Sequence, residues 1–328
     1  MRAALLVVTM FVFMDAIVSQ APAATDSMVR AGDIAASTAS LSEIASLVDF
    51  VLEARDYART VERGRAFLEF DNKTGRFVKG QLYIYAYDFQ GTNLAHPFRP
   101  DFIGQNKFNL TDPNGVAFIR DLADNARRGT GFTYFIFPNP DHGGRDELKL
   151  GYVAKVDDSW WLGSGIYLSE VPAFFSPEAR RDLVSFVNEA LNYTQKNGKD
   201  KAIDAFNDRN GSFVRGSLYI YAYDLNGTTL ALPFQIELVD KSRLVAEDSY
   251  GVRFIQNLID QAKRGQGYAY YLYPDPSENM TERLKLSYVR RVDDRWFLGA
   301  GIYGAESKAE NAAPGSYLGE IARNTKGK

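Results

Sequence analysis

Leu41, Ile44, Leu47, Val48, Val51 and Leu52 fall three and four residues apart, the stripe of an amphipathic helix. Ser40-Leu41-Ser42-Glu43 stands in front of it as a capping box, so the helix is expected to start at Leu41. The stripe returns as Leu183, Phe186, Val187 and Leu191, behind Ser176-Pro177-Glu178. There serine caps the helix and proline takes its first position. Each helix is expected to continue or restart toward Phe67 and Phe206. Asn72-Lys73-Thr74-Gly75 and Asp208-Arg209-Asn210-Gly211 then read as turns.

Strands follow. Leu82 to Asp88 is a run of tyrosine and isoleucine, and Gln90-Gly91-Thr92-Asn93 turns it back into Leu94-Ala95. A shorter helix is predicted over Val116 to Arg128, ended by Gly129 after a basic last turn. Three more strands are predicted: Phe132–Phe137, Leu148–Val156 and Trp160–Tyr167, the last two joined at Asp157-Asp158. Every element recurs 136 residues on, as Tyr83 does at Tyr219 and Trp160 at Trp296. The counterparts are Leu218 to Asp224, Val252 to Arg264, Tyr268–Tyr273, Leu284–Val292 and Trp296–Tyr303. A repeat of this length is a whole domain, since solenoid units run to ~20–50 residues. Helices first and a meandering sheet after them predict an α+β fold with an antiparallel sheet.

Composition narrows the function classes. The 328 residues suit about two domains, each large enough for its own core. A net charge of −3 gives no reason to expect nucleic acid. No cysteine is present, which removes disulfides, thiolate metal sites and cysteine nucleophiles. Two histidines, His96 and His142, are too few for a histidine-rich metal site, and no metal or cofactor is expected. No G-x-S-x-G, H-E-x-x-H or Walker motif occurs, so an enzyme is the weaker reading. Asp157-Asp158 and Asp293-Asp294 suit hairpin turns better than calcium, which needs more oxygen ligands at set spacing.

Arg2, the apolar run Ala3 to Met14 and the small residues Ala21-Pro22-Ala23-Ala24 read as an export signal over residues 1–24. The run is shorter than the ~20 residues that span a bilayer. The alternative is an uncleaved tether. A linker is expected over 25–39, domains over 40–171 and 172–307, and a polar tail over 308–328. The mature protein is expected to be periplasmic or extracellular, without a membrane span and without a kinase domain of its own.

Gly80, Tyr83-Ile84, Asp88, Gly91, Leu94-Ala95-His96-Pro97, Gly129-x-Gly131-Phe132, Pro138-x-Pro140, Lys149, Tyr152-Val153 and Leu162-Gly163-x-Gly165-Ile166-Tyr167 resemble the type 2 Cache domain. Gly216, Asp224, Gly227, Gly265-x-Gly267, Pro274-x-Pro276, Lys285, Tyr288-Val289 and Gly299-x-Gly301-Ile302-Tyr303 repeat the pattern. The resemblance implies two tandem PAS-like sensory domains, each holding a small organic acid between its sheet and the covering loops. It also implies a separate membrane receptor or kinase as partner.

The resemblance places the family's ligand-facing lysine at Lys149, and Lys285 is its copy. A strand lysine among apolar neighbours suits a carboxylate site, and the competing reading is an edge lysine that blunts aggregation. His96 is a candidate hydrogen-bond donor or a loop cap, and the second copy has Leu232 there. The resemblance aligns Phe135 and Phe137 with pocket-lining aromatics, for which the second copy has Tyr271 and Tyr273. Tyr83, Tyr85 and Tyr87 share one strand face, as do Tyr219, Tyr221 and Tyr223. Tyr85 and Tyr221, in mid-strand, are the pocket candidates, with packing against a partly wet helix as the alternative. The leading function is a non-catalytic sensor of small carboxylates. The alternative is a protein-interaction module whose pockets, one or both, are vestigial.

Overall fold

The computed structural model describes residues 40–305. The expected export signal (1–24), linker (25–39) and tail (308–328) lie outside the described residues. Two similar α+β units follow one another. In the first, α1 (Leu41–Thr60) begins at the expected capping box: the Glu43 carboxylate accepts the Ser40 N–H at 2.7 Å while Ser40 Oγ accepts the Glu43 N–H. The chain restarts as α2 (Arg63–Asp71), then forms β1 (Val78–Lys79), β2 (Leu82–Tyr83), β3 (Tyr85–Asp88) and β4 (Asn93–Ala95). After α3 (Phe118–Arg127) come β5 (Thr130–Asn139), β6 (Arg145–Lys155) and β7 (Trp160–Tyr167). The main sheet is antiparallel, in the order β4-β3-β7-β6-β5.

The second unit repeats the plan with α4 (Pro177–Asn197), α5 (Lys199–Asn207), β8 (Val214–Arg215), β9 (Leu218–Tyr219), β10 (Tyr221–Asp224) and β11 (Thr229–Ala231). It closes with α6 (Phe254–Lys263), β12 (Gln266–Asp275), β13 (Thr281–Arg291) and β14 (Trp296–Tyr303), in the order β11-β10-β14-β13-β12. Ser176 caps α4 and Pro177 is its first residue, as expected.

Two elements differ from the sequence expectation. The strand over Leu82–Asp88 is broken at Ile84, whose N–H turns away to donate to the Phe77 carbonyl and leaves β2 paired with β1. Ile220 breaks the second copy in the same way, on Phe213. The short helix begins at Phe118 rather than Val116, because the Val116 carbonyl turns back to accept the Asp112 N–H at 3.0 Å instead of an N–H four residues on.

The long helix packs on β6 and β7, while α3 packs on β5 and β6. Alternation along β7 separates the two faces. Trp160 meets Phe67 of α2 edge-on at 5.0 Å, and Trp161 stacks on Tyr87 at 5.2 Å on the opposite face. That opposite face is where α3 and the loops leave a cavity. Gly163 and Gly165 lie on the same face of β7 as Trp161. A Cβ on Gly163 would stand 3.0 Å from the Tyr85 ring, and one on Gly165 would stand 2.8 Å from Cε of Lys149. The Gly-x-Gly pair of β7 therefore makes room for these two side chains.

Candidate functional site

Strand register builds the site in the first unit. Phe135 of β5, Lys149 of β6 and Tyr167 of β7 stand opposite one another in a single row on the cavity face. Tyr85, His96, Phe135, Phe137 and Lys149, the five candidates from this copy, all line one small cavity. Tyr83 and Tyr87 join Tyr85 there, and Phe118, Ile119 and Leu122 of α3 close it from above.

Lys149 is 1% exposed and lies in the middle of the sheet, so the edge-lysine alternative does not hold. Its Nζ donates to the Tyr167 hydroxyl at 3.5 Å, the outer limit of a hydrogen bond. It lies 3.9 Å from the centre of the Tyr83 ring and 4.4 Å from that of Tyr167. Among the described residues it forms no ion pair. Glu147, two residues away on the same face, is already held by Asn139, His142, Arg145 and Ser169. Burial pulls the Lys149 pKa well below the ordinary lysine value, with the charge of Asp141 acting in the opposite direction.

His96 is both a loop cap and a wall of the cavity. Its N–H donates to Asp71 at 2.8 Å, and its Nδ1 accepts the Arg99 N–H at 3.1 Å. An accepting Nδ1 fixes the tautomer and leaves Nε2–H as the ring's donor. Burial, with the charges of Lys149 and Arg99, pushes the pKa down to about 3, so the ring is neutral. It stacks between Tyr85 at 6.2 Å and Phe137 at 5.9 Å.

The second unit is chemically different. Tyr221, Tyr271 and Tyr273 line a small cavity with Tyr219, Tyr223 and Leu232, closed by Phe254, Ile255 and Leu258 of α6. Lys285 is not among these lining residues, unlike its counterpart Lys149. Its Nζ donates to Tyr219 at 3.0 Å and to Tyr303 at 3.4 Å, and burial pulls its pKa down to about 7. The extra hydroxyls are engaged as well. Tyr271 and Ser287 share a hydrogen bond of 2.7 Å, and Tyr273 accepts from Arg243 at 2.9 Å while donating to Gln235. At the same two positions the first unit has Phe135 and Gly151.

The α3 residues Phe118, Ile119 and Leu122 were not singled out from the sequence. Leu122 stands three residues from Ile119 and four from Phe118, the spacings that place it on one helix face with each of them. Tyr83 and Tyr87 were carried by the same alternation that gave Tyr85. Among the described residues, no group of three or more histidine, aspartate or glutamate side chains is placed to hold a metal ion.

Comparison with known proteins adds an independent view. The profile of the Cache domain family dCache_2 matches residues 73–308. A stretch of 90 residues is 34% identical to the sensor histidine kinase MctS of Rhizobium johnstonii, covering 27% of this chain and 19% of that protein. The chain thus spans about a fifth of the length of that curated relative. Among solved structures, a methyl-accepting chemotaxis protein from Vibrio parahaemolyticus is 32% identical, covering 38% of this chain and 86% of that one, with a TM-score of 0.33. A structure addressing carboxylic acid recognition by a Cache chemosensory domain is 21% identical, covering 38% and 88%, with a TM-score of 0.31.

Proposed function

The chain belongs to the Cache domain family, whose members are non-catalytic sensory modules, and from that premise we propose that its first cavity binds a small monocarboxylate. One observation carries the reading: Lys149 is a fully buried amine that forms no ion pair among the described residues, so charging it needs an anion beside it. Burying a lone ion costs several kcal/mol, and a bound carboxylate offsets that cost. The carboxylate would sit on Lys149, with the His96 Nε2–H as a neutral second donor. Phe118, Ile119, Leu122, Phe135 and Phe137 would take the tail.

The lining also argues against other acids. No aspartate or glutamate lines the cavity, so an α-ammonium group would find no counter-charge. Phe135 and Phe137 bring no hydroxyl to an α-hydroxy acid, and the hydroxyls of Tyr83 and Tyr85 are bonded to Tyr167 and to the Ser164 carbonyl. A short alkyl acid such as propionate fits these terms best.

The second cavity supports a different reading. Among the described residues its lining carries no charged side chain, Tyr219, Tyr223, Tyr271 and Tyr273 hydrogen-bond to protein partners, and Lys285 is held by two phenols. This favours a cavity that takes no anion, the vestigial case. The chain is proposed to act outside the cytoplasm, which its amino-terminal sequence pattern supports, and to pass ligand state to a separate receptor or kinase. The kinship to a sensor kinase supports that partner class. Among the described residues, no helix is long and apolar enough to cross a membrane.

A thermal-shift panel tests the ligand class. Sodium propionate and acetate should stabilise the protein, lactate and pyruvate less, and alanine not at all. Equal stabilisation by alanine, or none by any carboxylate, overturns the proposal.

A further inference from the structure

We propose that the two units are coupled across a seam of near-twofold symmetry, so that the state of the first cavity is read at β12 of the second unit. The proposal builds on the reading of the first cavity as the ligand site.

The seam is made of contacts that recur with the units exchanged. Asp112 of the first unit accepts the Tyr270 hydroxyl of the second at 2.9 Å. Asp248 and Tyr134, the repeat partners of Asp112 and Tyr270, lie against each other, and Tyr134 meets the Tyr250 ring at 6.4 Å. Arg264 pairs with Asp124, and Arg128 pairs with Asp260 at 2.8 Å. Gly115 lies against the Tyr268 ring, and Gly251 lies against the Phe132 ring. Contacts in which each member of a pair meets the copy of the other define an isologous interface. Tandem repeats strung on a line would not produce them.

One clamp in this seam is bonded at every oxygen. Oδ1 of Asp112 accepts the N–H groups of Asn114 and Val116 at 2.9 and 3.0 Å. Its Oδ2 accepts the Ile136 N–H at 3.1 Å besides the Tyr270 phenol. Asn114 Nδ2 donates to the same phenol at 2.7 Å. The Ile136 N–H is open to this bond because β5 is the outer strand of its sheet.

Strand β5 ties the clamp to the cavity. Phe135 and Phe137 form the cavity wall, and Tyr134 and Ile136 alternate with them on the seam face. A ligand against the two phenylalanines bears on the strand whose next N–H is held by Asp112. Asp112 cannot follow that N–H without changing its hold on Tyr270. Tyr270 lies in β12 beside Tyr271, a wall of the second cavity. Differential contact with a ligand in two arrangements of this strand is what such coupling requires.

Hydrogen exchange by mass spectrometry on the full chain tests the coupling in two arms. In the first, Lys149→Met alters the first cavity without any ligand. Protection of β12 should change about 5-fold or more, the lower range of allosteric coupling. The change should vanish when Tyr270→Phe is added, or Asn114→Ala in its place should Tyr270→Phe fold poorly. In the second arm, sodium propionate is the probe, and the same response at β12 is expected in wild type and absent in Tyr270→Phe at similar affinity. A response confined to the first unit, or one that survives loss of the clamp, overturns the coupling. Failure of propionate to bind counts against the ligand assignment, and the first arm still decides the coupling.

Discussion

The Lys149 ammonium lies 3.9 Å from the centre of the Tyr83 ring. A desolvated cation–π contact returns ~2 kcal/mol, against an effective burial penalty of several kcal/mol for the ion. The unliganded protein carries the cost either of the buried charge or of giving up the proton. Lys149→Met keeps the stem and removes the charge. It should raise unfolding stability by about 1–4 kcal/mol, the range seen when buried ion pairs give way to apolar groups of similar volume. Urea unfolding followed by tryptophan fluorescence measures this. A loss of stability would show that the ammonium is already compensated.

The depressed lysine pKa values set a pH dependence. A base with a lower pKa folded than unfolded is protonated more in the unfolded state, so stability rises with pH across the interval. For Lys285 that interval runs from about 7 up toward 10.5. Urea resistance should therefore increase between about pH 7 and pH 9, and Lys285→Met should flatten the rise. Lys149, held well below its ordinary value, acts in the same direction.

Carboxylate binding should also take up protons. An anion beside Lys149 raises its pKa toward the ordinary value, so affinity grows as pH falls from the pKa of the liganded site toward that of the free site. His96 is neutral throughout and adds nothing to this linkage. Titration calorimetry in two buffers of different ionisation enthalpy reads the proton count. A count of zero where free Lys149 is neutral would contradict the assignment.

How far the site was legible depended on distance along the chain. The capping box at Ser40, the strand alternation that groups Tyr83, Tyr85 and Tyr87, and the Gly-x-Gly of β7 are local, and each names its own structural role. Lys149 was singled out because a strand lysine among apolar residues is unusual. That Lys149 lines a cavity while Lys285 does not was hidden. It turns on the Lys285 bonds to the hydroxyls of Tyr219 and Tyr303, 66 and 18 residues away. The break at Ile84 depends on a carbonyl at Phe77 that competes for its N–H, which propensity does not reveal. The seam stayed invisible because Tyr134 and Tyr270 read as ordinary strand residues until two copies are set face to face.

His96→Leu installs the residue that the second unit carries at the same place. The fold should tolerate it, since Leu232 keeps the matching backbone bond, to Asn207 at 2.9 Å. Propionate affinity should fall about 10- to 100-fold, the loss of one buried hydrogen bond to a charged group. Unchanged affinity would remove His96 from the site and leave it a loop cap.

Gly151→Ser should close the first cavity. Its Cβ would stand 2.8 Å from the Phe135 ring and 3.1 Å from the Tyr85 hydroxyl. Overpacking of this kind costs about 1–3 kcal/mol. Adding Phe135→Tyr recreates the Tyr271–Ser287 pair and should recover part of the stability without recovering binding. Recovery of binding by the double variant would show that the wall chemistry does not select the ligand.

Titration calorimetry of sodium propionate into wild type, Lys149→Met and Lys285→Met is the most direct measurement of the central claim. One saturable site per chain is predicted in wild type and in Lys285→Met, with no binding in Lys149→Met. Binding that survives Lys149→Met, or that is lost in Lys285→Met, would contradict it.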